Sequence, residues 1–503
     1  MKRPLNRNPG TGGGRPKWYR LTLPEQLERI ELRHRARRAR FLKPGQCPEP
    51  SLPAGTDLLP QIKHIVVLMM ENHSYDNYLG MLDGRGEGFP RNADGQPDVT
   101  NLDAEGNPVP CHHMRSTQQT EEVPCQSWHA THAQWNAGKM DGFVTSIQEL
   151  TPGADPAIGM GYWSEEDLPF YYGLARTFPL ADRWFSSCLG PTFPNRRFLI
   201  AGTANGLVDD APFHLLDNPP AGTIFDTLTR HGISWANYHS MAGDKSRGRR
   251  LAHYRRRMAH RKLQALGQGL HRMSGGIQKD IQFTADLFPL GIGQHVLHIH
   301  GMDQFFADAD NGTLPAFSIV DPAFDEFSEE NPQDIRKGES FAAEVINRVM
   351  HGKGWPDTLL IWTYDEHGGY HDHVPPPEAI PPDDVEGGHM GARPGWLRVL
   401  HRLLPGYAKD TENQGDEPMR YDRYGIRVPA VIVSPYARPG CVLSDVFDHT
   451  SVLKLVEEKW NLPTLTRRDA AALSPIGALD LSTPPAFRTP PSLPEPALKW
   501  GSW

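Results

Sequence analysis

Two short polar runs hold the residues best suited to chemistry. Glu71-Asn72-His73-Ser74 follows at once on the apolar run Ile65–Met70, and Tyr364-Asp365-Glu366-His367-Gly368-Gly369 follows on Thr358–Thr363. Open α/β sheets carry their sites beyond the carboxyl ends of the strands. If both apolar runs are strands of one sheet, Glu71, Asn72, Asp365 and Glu366 converge on one rim. Three carboxylates and an amide oxygen so gathered repel one another unless a cation sits between them, and that donor set suits a hard divalent metal. Capping of a following helix by Asn72 or Asp365 would account for one residue at each end but not for two acidic clusters.

A third segment, Gly190-Pro191-Thr192-Phe193-Pro194-Asn195-Arg196-Arg197, precedes the apolar Phe198–Ala201. Proline is favoured in the first helical turn, so Thr192 is expected just before a helix N-terminus, where the dipole and free amides favour an anion. Its hydroxyl has two roles open to it there. It can cap the helix, or, beside a metal cluster, it can lose its proton, join the metal ligands and attack phosphorus. The neighbouring acidic clusters favour the nucleophile.

Of the 23 histidines, those near these motifs are His132, His239, His298, His300, His371, His373 and His449. Imidazoles gathered in one pocket hold phosphate oxygens and protonate a leaving alkoxide. Taken singly, each is an ordinary structural histidine. Which of these histidines would hold phosphate or donate the proton, the spacing leaves open. Glu71, Asn72, Thr192, Asp365 and Glu366 hold the metal. Calcium, magnesium, manganese and, with histidine, zinc all suit such a site.

The elements that must position these residues are legible as short apolar runs. Ile65–Met70, Thr358–Thr363 and Val428–Val433 read as parallel strands covered on both faces, and Ala316–Val320 is a weaker fourth. Ser340–Met350 and Ser451–Trp460 read as amphipathic helices. The pattern predicts an α/β fold with a mostly parallel central sheet, helices on both faces and long loops. Residues 1–50 form a basic arm with a short amphipathic helix around Leu27–Leu32. Residues 51–465 form the catalytic domain, and 466–503 form an extended, proline-rich tail. Between Lys245 and Arg272 lie ten Lys and Arg residues, within a basic insert at about 243–275. A solvated charged face is the plain reading of that insert; contact with an anionic lipid surface is the functional one.

Composition narrows the field further. The 503 residues are 38% hydrophobic and 22% charged, with a net charge of −8, a globular balance that argues against a nucleic-acid partner. No apolar run approaches the ~18 residues of a membrane helix. No apolar signal region follows the basic N-terminus, so the chain as written reads as cytoplasmic, or as secreted only if a signal was removed. The five cysteines include no CxxC pair, which leaves no zinc or disulfide framework. Cys111 and Cys125 flank one loop and either pair or stay free.

Seven ordered segments together resemble a known family. They are Glu71–Gly80, Gly138–Phe143, Gly190–Arg196, Gly312–Pro322, Thr363–Pro377, Arg427–Gly440 and Asp448–Trp460. In them the chain resembles, from about Ile62 to Trp460, the phosphoesterase family of bacterial and plant non-specific phospholipases C and certain acid phosphatases, within the alkaline-phosphatase-like superfamily. The resemblance implies a metal held by Glu71, Asn72, Asp365 and Glu366, and Thr192 as nucleophile with nearby His and Asn on phosphate. The resulting expectation makes Thr192, His132 and His373 catalytic and has Asn195, His239, His300 and His449 bind phosphate. The resemblance also implies a phospholipid or small phosphoester substrate: phosphatidylcholine-type lipids first, a phosphomonoester as the alternative. A non-catalytic lipid-binding relative would be expected to have lost the nucleophile or a carboxylate, and all are present. Gln126 stands where many relatives carry a histidine, a role His129 or His132 can take. No CxPxR-type sequence supports a sulfatase.

Overall fold

The computed structural model describes residues 43–120, 124–151, 153–210, 217–239, 283–288, 291, 295–388, 419–482 and 484–502. The predicted N-terminal helix and the basic insert lie outside these residues.

Eight strands form the central sheet: β1 (His64–Met70), β2 (Leu180–Ala181), β3 (Trp235–His239), β4 (Ile299–Gly301), β5 (Phe317–Val320), β6 (Thr358–Tyr364), β7 (Ala430–Val433) and β8 (Val442–Leu443). Their order across the sheet is β8-β2-β7-β6-β1-β5-β3-β4. β1 lies near the centre, parallel to β6 on one side and to β5 on the other. Ile65 pairs with both Leu359 and Phe317, and the three strands end close to one level. This register brings the polar residues after β1, β5 and β6 to a single rim.

The reason these runs are strands is their continuous burial. Every residue of β6 is buried, and so is all of β1 except half-buried His64. Successive side chains point to opposite faces, so both faces of the sheet are covered. Each fully buried Val, Leu or Ile adds ~1.5–3 kcal/mol of hydrophobic stabilisation.

The helices that matter for the site are α1 (Tyr75–Leu79), α2 (Trp128–Trp135), α3 (Thr192–Ala201), α4 (Ile335–His351) and α5 (Thr450–Lys459). In α4, Phe341, Val345, Ile346 and Val349 recur at helical spacing and are buried. Asp334 caps its start by accepting from Arg336 N, so the helix begins one turn earlier than its apolar stripe suggests.

One expected direction is corrected. β7 runs antiparallel to both β6 and β2, Thr363 facing Ala430 and Val431 facing Leu180. A strand buried on both faces reads as the same apolar run in either direction. Its direction is set by the connection that feeds it. The other seven strands run in one sense, so the sheet is mostly parallel.

The expected extended tail is corrected in its first part: Thr466 and Asp469 form a capping box that starts a helix at Arg467–Ala471, and Pro475–Ala478 makes a 3₁₀ turn. The proline-rich remainder is extended and packs on the domain. Phe487 lies 4.8 Å from Phe178 and Trp500 5.0 Å from Phe327, ring centre to ring centre. Cys111 and Cys125 are free thiols, as are the other three cysteines. Among the described residues, no helix is long and apolar enough to cross a membrane.

Candidate active site

The chain leaves β1 through Glu71 and turns at Asn72, whose φ of 69° lies in the left-handed region. It leaves β6 through Asp365 and Glu366 and turns at Gly368, φ 68°. A Cβ on Gly368 would stand 2.0 Å from Asn72 O, so only glycine lets the two turns meet. Asn72 N joins the two by donating to Asp365 Oδ1 at 3.2 Å, and Gly368 N closes its own turn by donating to Glu366 Oε2 at 2.8 Å.

Thr192 is the first residue of α3. The N-cap is Pro191, which offers no side-chain cap. The hydroxyl therefore does no capping, and it donates instead to Asn72 Oδ1 at 3.4 Å. Asn72 and Asp365 do not cap either, since Ser74 caps α1 and no helix starts after Asp365. The expected position is shifted by one residue, and the cap explanation is removed for all three side chains.

Arg196, from the same helix as Thr192, binds the rim together. Its Nε donates to Asp365 Oδ2 at 2.8 Å and its Nη1 to Asp321 Oδ1 at 2.9 Å. Its Nη2 reaches Met70 O at 3.1 Å and lies 3.7 Å from Glu71 Oε1. One guanidinium thus faces three carboxylates, with Glu366 close by. Glu71 Oε2 and Glu366 Oε1 are buried without a hydrogen-bond partner. Burial, then the charge of Glu330, pushes the Glu71 carboxyl well up, and burial with Asp365 does the same to Glu366. Orphaned buried oxygens in an acid-rich, oxygen-donor cluster are what a divalent cation satisfies, so these residues fit the implied metal.

The expected phosphate and proton-transfer residues are more scattered. His449, at the start of α5, has Nε2 2.7 Å from Asp365 O. A carbonyl only accepts, so Nε2 carries the proton and the buried, unpartnered Nδ1 carries a lone pair. Burial lowers its pKa and keeps the ring neutral. In that state Nδ1 accepts, whereas holding a phosphate oxygen needs a donor. Asn195 is committed to the loop that leads into α3. Its Oδ1 accepts from Ser187 N and Cys188 N, and its Nδ2 donates to Gly190 O and Pro191 O.

His239 ends β3, buried with its ring 4.5 Å from Phe283. His300 lies in β4, half-buried beside Tyr238. His132 bonds Trp128 O within α2 and stacks on Trp128, and burial lowers its pKa. His373 Nδ1 is 2.6 Å from Asp76 Oδ2, which raises its pKa against the opposing effect of burial. Among the described residues, no hydrogen bond ties His132, His300 or His373 to the Glu71–Asp365 cluster.

Asp76, Asp372 and His373 also form a group with metal-ligand spacing. Arg427 already pairs with both carboxylates, at 3.2 and 2.9 Å, so that group is neutralised internally. A separate cavity of about 530 Å³, lined by Thr223, Asp226, Phe288 and His295 among others, includes none of the cluster residues.

Sequence reasoning missed Arg196, Asp321 and Asp210. Asp321 follows β5 just as Glu71 follows β1, so the strand-end rule could have found it. Arg196 sits inside the Gly190–Arg197 segment. Asp210 has no such signal; its Oδ1 accepts from Phe193 N at 2.7 Å, at the helix N-terminus where an anion was expected.

Comparison with known proteins finds relatives over most of the chain. The profile described as the Phosphoesterase family matches residues 62–463. The non-specific phospholipase C6 of Arabidopsis thaliana is 28% identical over 87% of this chain and 75% of its own length. Phospholipase C B of Mycobacterium tuberculosis is 29% identical over 85% of this chain and 79% of its own. The hemolytic phospholipase C of Pseudomonas aeruginosa is 28% identical over 82% of this chain but only 54% of its own length. Among solved structures, an alkaline phosphatase superfamily protein from Vibrio parahaemolyticus aligns over 88% of this chain and 78% of its own. The TM-score there is 0.33 and the identity 10%, a likeness too slight to argue from.

Proposed function

The chain belongs to the phosphoesterase family and is a phosphoric ester hydrolase, and from that premise we propose that it is a metal-dependent phospholipase C. Its substrate is a phosphatidylcholine-type lipid, cleaved to diacylglycerol and the phosphorylated headgroup. The relatives' names support the substrate class. The observation that carries the chemistry is the Thr192 hydroxyl, free of capping duty and donating to Asn72 beside two orphaned carboxylate oxygens.

Glu71, Asn72, Asp365 and Glu366 would hold the cation, joined by the Thr192 oxygen. A divalent ion there would act as a Lewis acid, favouring the ionised hydroxyl and balancing charge on the phosphoryl oxygens. Thr192 Oγ, its proton released to solvent, bonds to phosphorus as the bond to the diacylglycerol oxygen breaks. His373 suits the role of proton donor to that oxygen, because Asp76 raises its pKa. Its rival His132 is buried and held neutral. Water then cleaves the phospho-threonine and releases the headgroup phosphate. The N-terminus of α3 attracts the phosphoryl group, and Asp210 yields the Phe193 amide as it enters. Peripheral contact with an anionic membrane rests on the charge of residues 243–275 alone.

The test compares p-nitrophenol release from p-nitrophenyl phosphorylcholine and p-nitrophenyl phosphate with divalent metal supplied. Preference for the choline diester is the expected result. Preference for the monoester replaces the lipase with a phosphatase, and no turnover of either overturns the proposed reaction.

A further inference from the structure

The two halves of the acidic rim share a support that neither motif contains. Glu329 is fully buried and lies on a loop, at φ 81°, a conformation that a non-glycine residue adopts only when its surroundings impose it. Three tyrosine hydroxyls surround its carboxylate. Tyr171 donates to Oε1 at 2.7 Å, Tyr78 donates to Oε2 at 3.1 Å, and Tyr364 donates to the same Oε2. Space for the side chain comes from Gly338 of α4, where a Cβ would stand 2.0 Å from Glu329 Cγ.

Two of these tyrosines, and the residue before Glu329, lead to the site. Tyr364 is the residue before Asp365, at the end of β6. Tyr78 lies in α1, which follows the Glu71–Asn72 turn directly. The preceding residue, Ser328, accepts from Glu71 N at 3.1 Å. The Glu329 carbonyl lies 3.0 Å from His73 Nε2, while His73 Nδ1 faces Asn77 Oδ1 at 2.7 Å. Burial lowers the His73 pKa to about 4, so the neutral ring donates to one of these oxygens at a time. Residues 328–329 thus touch the chain on both sides of the gap that the metal ligands line.

We infer that Glu329 is a positioning residue that sets the Glu71–Asn72 turn against the Asp365–Glu366 turn at the separation a bound cation requires. The inference rests on the metal-site reading above. A carboxylate caged by hydroxyls can also be plain core satisfaction, and the geometry offers a way to separate the two. Tyr171 and Tyr364 each give the same carboxylate one hydroxyl, but only Tyr364 adjoins a metal ligand.

The experiment titrates full-length wild-type, Tyr364→Phe and Tyr171→Phe protein with Mn²⁺, counting free ion by electron paramagnetic resonance, with thermal unfolding in parallel. Supporting groups behind metal ligands typically contribute 10–100-fold in affinity, so Tyr364→Phe is expected to weaken Mn²⁺ binding about tenfold and Tyr171→Phe less than about twofold. Tyr78→Phe, on the same oxygen as Tyr364, should follow Tyr364→Phe and serves if that variant does not fold. Equal losses in Tyr364→Phe and Tyr171→Phe, or wild-type affinity in Tyr364→Phe, overturn the positioning role and leave the metal site standing. Wild-type protein that binds no Mn²⁺ overturns the metal site and, with it, the inference.

Discussion

Replacing Arg196 by lysine keeps the charge and discards the fork. The guanidinium makes five described hydrogen bonds, to Asp365 Oδ2, Asp321 Oδ1, Thr284 Oγ1, Met70 O and Met69 O. It does so fully buried. An ammonium has three donors on one nitrogen, so at least two of these bonds are lost. Thr284 is the cheapest to release, because its hydroxyl already donates to Asp321 Oδ1. The others run to buried carboxylate or carbonyl oxygens, and each such bond lost from a charged donor costs ~1.5–3 kcal/mol. The expected loss is ~2–4 kcal/mol, a large share of a typical folding stability of ~5–15 kcal/mol. Urea unfolding of wild type and Arg196→Lys, with chelator and then with excess Mg²⁺ or Mn²⁺, measures it. Saturating metal should restore part of the loss, since a ligand at ~100 times its Kd adds ~2.7 kcal/mol. A loss below ~0.5 kcal/mol in chelator would refute the view that Arg196 holds the rim together.

Thr192→Ala removes a hydroxyl whose one described bond is 3.4 Å long. Unfolding stability should change by less than ~1 kcal/mol while turnover falls by ~10³-fold or more; residual activity near wild type would discard the nucleophile. Asp365→Asn should lower the metal retained after dialysis, read by atomic emission, and an unchanged stoichiometry would argue that the carboxylate is not a ligand. Stability should also fall as pH rises. Burial pushes the Glu339 carboxyl from its ordinary 4.5 up to about 8. Between those values the folded state keeps a proton that the unfolded state has released. Stability is therefore fully present below about pH 4.5 and declines towards pH 8, by at most ~1.4 kcal/mol per pH unit. Glu329, raised to about 8 by the same cause, acts in the same window, so Glu339→Gln should flatten part of the slope in melting temperature against pH. An unaltered slope would show that Glu339 ionises normally in the fold.

How much of this was legible depends on how local the determining physics is. Glu71-Asn72 and Asp365-Glu366 were readable because each follows an apolar run too continuous to be anything but a buried strand, and parallel strands deliver their C-terminal residues to one edge. Thr192 was readable because proline and the apolar stretch after it announce a helix start. The antiparallel sense of β7 was not, since Ala430–Val433 is equally apolar in either direction. Nor was the fate of Asn195, which looks like a phosphate ligand in the linear motif yet spends its amide on the backbone of its own loop.

The residue types and their spacing alone placed Glu71-Asn72, Asp365-Glu366 and Thr192 on one α/β scaffold, because strand and helix patterning act over a few residues. Only the tertiary structure decided what holds that cluster in place. Arg196 meets Asp321 and Asp365 across 125 and 169 residues of chain. Glu329 gathers tyrosines 251, 158 and 35 positions away. Such partnerships leave no mark on local periodicity. They exist because burial strips water from charged and polar groups, and each must then find its partner wherever the fold has brought one.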